Sequence, residues 1–265
     1  MALWIVATPI GTLQDLSPRA REVLRSAQLI AAEDTRVTRR LLSALDIPSP
    51  PMVSVHAHNE HKREDVARRA LDEDIALVCD AGTPGLSDPG SQVVSFAHQM
   101  GVVVRSVPGP SAWTAALAVS GLPCSPCSFL GFPPRKGRDN WARALLRRAE
   151  TIAVYEAPKR ILDLVHRLAE LDGGREAVLC RELSKVHEEV LRAPLSELEA
   201  ALSQRDQLRG ECVLLIGPGT PLRDKRSSLD SGSLKDISAA LGRRWCVPRK
   251  EAYRRLLDLE ADYES

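Results

Sequence analysis

The sequence predicts an α/β fold, two α/β domains followed by a small helical tail, and three observations predict it. Short apolar runs alternate with segments of helical period over residues 1–120. A proline-rich, partly basic stretch over 121–140 breaks that rhythm, and a second alternating set then runs to 218. The expected organisation is therefore a domain over 1–120, a second over 121–218, and a linker with a helical tail over 219–265.

Each element has its own signal. Residues 3–7 form a continuous apolar run, as a strand buried on both faces requires. Ser17-Pro18 offers an N-cap and a first-turn proline, after which Ala20, Val23, Leu24 and Ala27 recur at helical spacing. Residues 29–32 read as a second strand, followed by a helix carrying Val37, Leu41, Leu42 and Leu45. A third strand over 52–55 precedes a helix through Val66, Ala67, Ala70 and Leu71. The fourth and fifth strands fall at 75–79 and 102–107, with a helix between them from Asp88-Pro89 to Gly101. Ser111 caps a last helix that stops at Gly121. Such alternation implies a mostly parallel sheet covered on both faces, with ligands beyond the carboxyl ends of its strands.

In the second set, a helix is expected near 139–149, a strand at 151–155 and a helix at 158–171. Strands at 177–180 and 212–216 flank a short helix near 195–202. Residues 219–232, rich in Ser, Asp, Lys and Arg, read as a linker before helices at 234–241 and 249–259.

Composition narrows the class without choosing a function. Of the 265 residues 44% are apolar and 27% charged, as in an ordinary globular protein, and the net charge of +1 points to no partner in bulk. A nucleic-acid surface must then be a local patch. No apolar run approaches the ~20 residues of a membrane-spanning helix. The N-terminal Met1-Ala2-Leu3-Trp4 lacks the marks of a signal peptide, so a cytoplasmic, non-membrane protein is expected. Six scattered cysteines suit reduced thiols better than a disulfide framework. Cys124-Ser125-Pro126-Cys127 lacks the second ligand pair of a structural zinc site.

The loops at the strand ends carry the chemistry. After the fourth strand, residues 80–90 hold three glycines and two prolines, which lets backbone approach a ligand closely along a stiff path. The fifth strand ends in Pro108-Gly109-Pro110-Ser111-Ala112 and the first in Thr8-Pro9-Ile10-Gly11-Thr12. Three such bends at one sheet edge line one crevice. Neither the dinucleotide nor the P-loop glycine pattern is present. The second strand ends in Glu33-Asp34-Thr35-Arg36, either crevice carboxylates or a helix cap, and Glu156 ends a strand of the second domain. His56-Ala57-His58-Asn59-Glu60-His61 approaches a binuclear zinc pattern, but the later ligands are missing, so no metal is expected and a polar strand end facing substrate is the favoured reading.

Taken together, these segments resemble the 16S rRNA ribose 2′-O-methyltransferases of the tetrapyrrole-methylase superfamily. The resemblance rests on 5–11, 31–36, 56–60, 80–90, 108–112, 155–160 and 210–214, in order and with compatible spacing. It implies S-adenosylmethionine folded in the cleft between the two domains, a homodimer, and a decoding-centre cytidine in 16S rRNA or the small ribosomal subunit as substrate. By position, Pro9, Thr83, Leu86, Ser87, Ser111 and Ala112 line the first-domain side of the cofactor site, and Tyr155, Glu156, Ala157 and Leu214 close it from the second. Two positions depart from the family pattern: Thr12 stands where Asn is usual, and Lys159 where His is usual.

Methyl transfer from a sulfonium is an in-line displacement, and a ribose hydroxyl must lose its proton on the way. Glu33, Asp34, Asp80 and His58 are the candidate acceptors or orienting groups. For RNA contact the expected residues are Arg36 and the loop cations Arg135, Lys136 and Arg138. Arg39-Arg40, Lys62-Arg63, Arg68-Arg69 and Arg143-Arg147-Arg148, each taken alone, read as solvated helix faces. With aromatics at 4%, a broad base-stacking platform is not expected. The alternatives on the same fold are a methylase of tetrapyrroles or of a protein side chain. An alternative of another class is a non-catalytic ribosome-binding factor.

Overall fold

A computed structural model describes residues 1–55, 60–87, 90–219, 238, 250, 251, 253 and 254. The chain divides into compact units Met1–Gly219 and Thr220–Ser265. His58 with its neighbours in the histidine motif, and the expected helix start at Asp88-Pro89, lie outside the described residues. In the second unit the described residues are helical, and Arg254 donates to Glu251 at 2.6 Å. The remainder of the two expected tail helices lies outside the described residues.

The first unit contains two five-stranded sheets. In the first, β1 (Leu3–Val6), β2 (Leu29–Ala32), β3 (Met52–Ser54), β4 (Ile75–Val78) and β5 (Val104–Val107) run parallel in the order β3-β2-β4-β1-β5. Alternation along the strands splits the core into two layers. Val6, Ile30, Ala32, Ala76 and Val78 pack with α1 (Pro18–Ser26) and α2 (Thr35–Ala44). Leu3, Leu29, Ala31, Ile75 and Leu77 pack on the other face with α3 (Glu60–Arg69) and α4 (Gly90–Gln99). The helices start where their caps dictate: Ser17 Oγ accepts from Ala20 N at 3.1 Å, and Asp34 caps α2 through the backbone N–H of Arg36 at 2.8 Å.

The second sheet has the order β6-β7-β10-β8-β9, from β6 (Cys127–Phe129), β7 (Thr151–Glu156), β8 (Glu176–Arg181), β9 (Glu189–Pro194) and β10 (Cys212–Ile216). Here only the β6–β7 pair is parallel. One face carries α6 (Arg138–Leu146), α7 (Pro158–Asp172) and α8 (Leu195–Ser203), whose Leu145, Ile161, Leu164, Leu168, Leu195 and Leu198 close one apolar cluster. Burying each such side chain stabilises the fold by roughly 1.5–3 kcal/mol.

Three features differ from the sequence expectation. The stretch over 121–140 holds a strand, β6, and β9 lies in a segment expected to hold none. The helix expected after Ser111, α5 (Ala112–Ser120), packs against the second sheet, with Ala116 beside Ala153, Val178, Val213 and Leu215. It does end on Gly121, whose φ of 66° is the left-handed conformation that glycine tolerates without strain.

Candidate active site

The three glycine- and proline-built bends are stitched together beyond the carboxyl edge of the first sheet. Thr8 and Gly82 exchange backbone hydrogen bonds of 2.9 and 3.1 Å, and Thr8 Oγ1 donates to Cys79 O at 3.1 Å. Gly82 has a φ of 88°, a conformation a side chain would strain. Thr83 Oγ1 donates to Pro110 O at 3.0 Å, joining the fourth loop to the fifth. Gly109 passes so close to Ala7 that a Cβ there would lie 2.9 Å from the Ala7 Cβ.

These loops border a cavity of about 430 Å³, within the range of small-molecule sites. Thr83, Leu86, Ser87, Ser111 and Ala112 line it from the first sheet's loops, and Tyr155, Glu156 and Ala157 from β7 and the turn after it. Glu33 and Asp80 border the same cavity at the ends of β2 and β4. Two cofactor expectations move. Pro9 is buried and its neighbour Ile10 lines the cavity instead. Leu214 is fully buried in the cluster beneath α7 and α8, while Val213, on the opposite face of β10, lines the cavity. A strand alternates faces at each residue, so a shift of one changes the exposed side chain.

The carboxylates clasp one another across the sheet edge. Asp34 N donates to Asp80 Oδ1 at 3.1 Å, and Asp80 N donates to Glu33 Oε2 at 3.3 Å. Asp34 itself turns away and forms a forked pair with Arg36, with Nη2 to Oδ2 at 2.6 Å, which holds its carboxyl far below the usual range. Asp80 is displaced the other way. Desolvation raises its pKa, the Asp34 charge adds to the rise, and the Asp34 N–H and Arg36 oppose it.

Glu156 is the most buried carboxylate of the site, and its charge is met in full. Arg138 donates to Oε2 at 2.6 Å, while Arg160 and the Ala157 N–H each donate to Oε1 at 2.8 Å. Arg138 is only 13% exposed, so the expected RNA contact is an internal ion pair. Arg135 and Lys136 are exposed in the preceding loop, and Arg36 stands 80% exposed at the start of α2.

Sequence reasoning missed Phe132, Glu211 and Val213. Phe132 is 55% exposed at the cavity and meets Tyr155 edge-on at 5.6 Å. Tyr155 also meets Phe129 at 4.7 Å, and burial raises its phenol pKa, against hydrogen bonds to Trp113 and Ser111. A neutral phenol remains a hydrogen-bond donor. Glu211 is held by Lys185 Nζ at 3.2 Å, which also binds Glu182 at 2.9 Å. Of the two family departures, Thr12 makes no side-chain cap and uses its backbone N–H on Ser184 Oγ at 3.2 Å, while Lys159 is exposed beside the Glu156 partner Arg160.

Charge selects the ligand. The lining includes Glu33, Asp80, Glu156 and Glu211 and contains no lysine or arginine among the described residues. Glu156 and Glu211 are matched by arginine and lysine, so it is the end at Asp80, which forms no ion pair among the described residues, that favours a cationic ligand over a phosphate or polycarboxylate. Among the described residues, no three metal-ligating side chains gather, and no helix is long and apolar enough to cross a membrane.

Comparison with known proteins agrees with this architecture. Residues 2–199 match the family of tetrapyrrole (corrin/porphyrin) methylases. A ribosomal RNA small subunit methyltransferase I from Pseudomonas aeruginosa is 41% identical over 94% of this chain and 89% of its own. The protein of the same name from a Synechocystis species is 39% identical over 98% of this chain and 99% of its own. A uroporphyrin-III C-methyl transferase from Thermus thermophilus, complexed with S-adenyl homocysteine, shares the fold at a TM-score of 0.56. Its identity is 20%, over 84% of this chain and 99% of that one. With the family match spanning most of the chain and both relatives aligned nearly end to end, this chain belongs to the tetrapyrrole methylases and, within them, to the ribosomal RNA small subunit methyltransferase I family.

Proposed function

We propose that this protein transfers a methyl group from S-adenosylmethionine to the ribose 2′-hydroxyl of a decoding-centre cytidine in 16S rRNA. The observation that carries the reading is the acid-lined cavity running from Glu33 and Asp80 to Tyr155. A sulfonium donor is cationic, and the donor, when bound, supplies an electrophilic methyl group on that positively charged sulfur. Thr83, Ser87, Ser111 and Tyr155 bring hydroxyls to the cavity, and Leu86, Ala112 and Val213 bring apolar surface. That mixture suits a ligand with a polar tail and a flat ring.

Asp80 is the group we assign to the substrate proton. Glu33 and Asp80 border the cavity, whereas Asp34 is engaged by Arg36. A base works best when its pKa lies near the operating pH, and desolvation moves Asp80 in that direction. The Asp34 N–H fixes one Asp80 oxygen, leaving the other to orient the hydroxyl. Glu33, through its bond to Asp80 N, is the positioning residue. Alignment of oxygen, methyl and sulfur within roughly 3–3.5 Å then supplies most of the acceleration.

The RNA partner, naked or in the small subunit, is met by exposed Arg36, Arg135 and Lys136. Arg138 leaves that set. A cytoplasmic homodimer completes the reading. A tetrapyrrole substrate is disfavoured by the relatives of about 40% identity, which are named as ribosomal RNA methyltransferases. Isothermal titration with S-adenosylmethionine, together with ribose-methyl analysis of treated 16S rRNA, tests the reading. Donor binding plus a new 2′-O-methylcytidine is expected; absence of donor binding would return the protein to the ribosome-binding factors.

A further inference from the structure

We propose that the outward face of α2 is a phosphate track that seats the RNA strand leading to the catalytic carboxylates. This inference rests on the rRNA reading above and adds the residues that hold the backbone. A groove on α2 is lined by Arg36, Arg39, Arg40, Ser43 and Ala44. Spacings of three and four residues place these on one stripe, opposite the buried Thr38 and Leu42. All five are exposed, and α2 carries no acidic residue of its own.

Arg36 is matched by Asp34, but the two cations that follow it on the stripe have no counter-charge. Many exposed and half-exposed arginines elsewhere meet carboxylates, as Arg68 does Glu64, Arg69 Glu73, Arg148 Glu150, Arg167 Asp163 and Arg192 Glu176, while Arg25, Arg143 and Arg147 form no ion pair among the described residues but line no such groove. Each of those pairs reads as a solvated, self-neutralised face. Among the described residues, Arg39 and Arg40 form no ion pair, though they line a shallow, open groove with Arg36. Mutual repulsion between neighbouring cations is unfavourable unless an anion fills the space between them.

Placement supplies the second argument. α2 begins at the carboxyl end of β2, one residue after Asp34, which bonds Asp80. At about 1.5 Å per residue, Arg36 to Ser43 spans roughly 10 Å, enough to contact more than one phosphate of a strand. Guanidinium forks and the Ser43 hydroxyl match phosphate oxygens. The acid-lined cavity repels those same phosphates, so the strand rests on α2 while one sugar reaches Asp80.

The test uses the full chain with R39A/R40A, R39K/R40K and R25A, the last a control. Arg25 is exposed in the final turn of α1 and lies outside the groove. Methylation of 16S rRNA, or of small subunits, is followed across salt concentration, and donor affinity is measured by calorimetry. R39A/R40A is expected to raise KM for RNA at least tenfold with kcat and donor affinity within twofold. Its slope of log kcat/KM against log salt should fall by about 1.5, at ~0.7–0.9 for each phosphate no longer neutralised. R39K/R40K should keep most of the slope, and R25A should match the parent protein. An R39A/R40A protein with unchanged KM and slope would overturn the track while leaving the methyltransfer reading intact. A parent protein that binds donor but methylates no 16S rRNA in either form would overturn the function, and the track with it.

Discussion

The two sheets treat charge in opposite ways. Around the second sheet, charges close on one another. Glu156 is flanked by Arg138 and Arg160, Glu189 by Arg181 and Arg205, and Glu182 and Glu211 share Lys185. Buried Arg175 donates to Gly217 O, Leu146 O and Arg148 O within 2.7–2.9 Å. At the edge of the first sheet Asp34 is paired with Arg36, but Asp80 forms no ion pair among the described residues and carries a raised pKa, and Arg39 and Arg40 of α2 form none. Paired charge holds a lobe in shape, whereas charge left without a partner is available to a substrate. The cavity lies where the two treatments meet, and the comparison can be broken at either end.

The largest effect is expected from the second sheet. Arg138→Met removes a partner from a carboxylate that is 2% exposed, and breaking a buried pair in this way costs about 3–5 kcal/mol. Urea unfolding should report a loss near the lower end of that range, since Arg160 remains, and calorimetry should show weakened donor binding because Glu156 lines the cavity. A loss below about 1 kcal/mol, typical of an exposed pair, would mean that the pair contributes little to the lobe.

Asp80→Asn comes next. Single-turnover methylation should fall at least about a hundredfold, the usual range for losing a general base, with donor affinity within threefold. The pH profile sharpens the test. A base must be deprotonated, so a raised pKa moves the acid limb of the rate upward, and D80N should flatten that limb. An unaltered limb in D80N would assign it to another group.

Glu189→Gln probes a paired carboxylate distant from substrate. Its pKa is pulled down to about 2, chiefly by the Arg205 hydrogen bonds, and its side chain is 24% exposed. A depressed carboxylate stabilises the fold above its unfolded pKa and loses that contribution as pH falls through the folded value. At neutral pH, E189Q should therefore cost about 2 kcal/mol and reduce the decline of stability between about pH 4.5 and 2. Catalysis per folded molecule should stay within twofold. Thr12→Asn, restoring the usual family residue, should change least: below about 0.5 kcal/mol, since Thr12 uses only its backbone N–H.

What the sequence revealed follows the range of the forces involved. The bends at Pro9, at Gly82 to Gly85 and at Gly109 were legible because glycine and proline act on their own backbone, wherever the chain goes afterwards. The first sheet was legible because strands buried on both faces, such as β4, are apolar throughout. β6 spans only three residues, and β9 is a half-exposed edge strand with charged residues at Glu189 and Arg192, so neither carries a strong local pattern. The reversal between Leu214 and Val213 turned on a single residue of register. Arg138 looked like any loop cation, because its partner Glu156 lies 18 positions along the chain and only folding brings them together. Local sequence does separate Arg39 and Arg40 from Arg68 and Arg69: Glu64 and Glu73 stand four residues from the latter, and no acidic residue lies within four positions of the former.

Mass mapping of 16S rRNA incubated with the protein and S-adenosylmethionine, run in parallel with the Asp80→Asn variant at matched donor occupancy, shows whether Asp80 serves ribose methylation. One new ribose methyl on a decoding-centre cytidine is expected with the parent protein, and its near-complete loss with the variant. A methyl found on a base carbon, or an undiminished ribose methyl in the variant, would contradict that expectation.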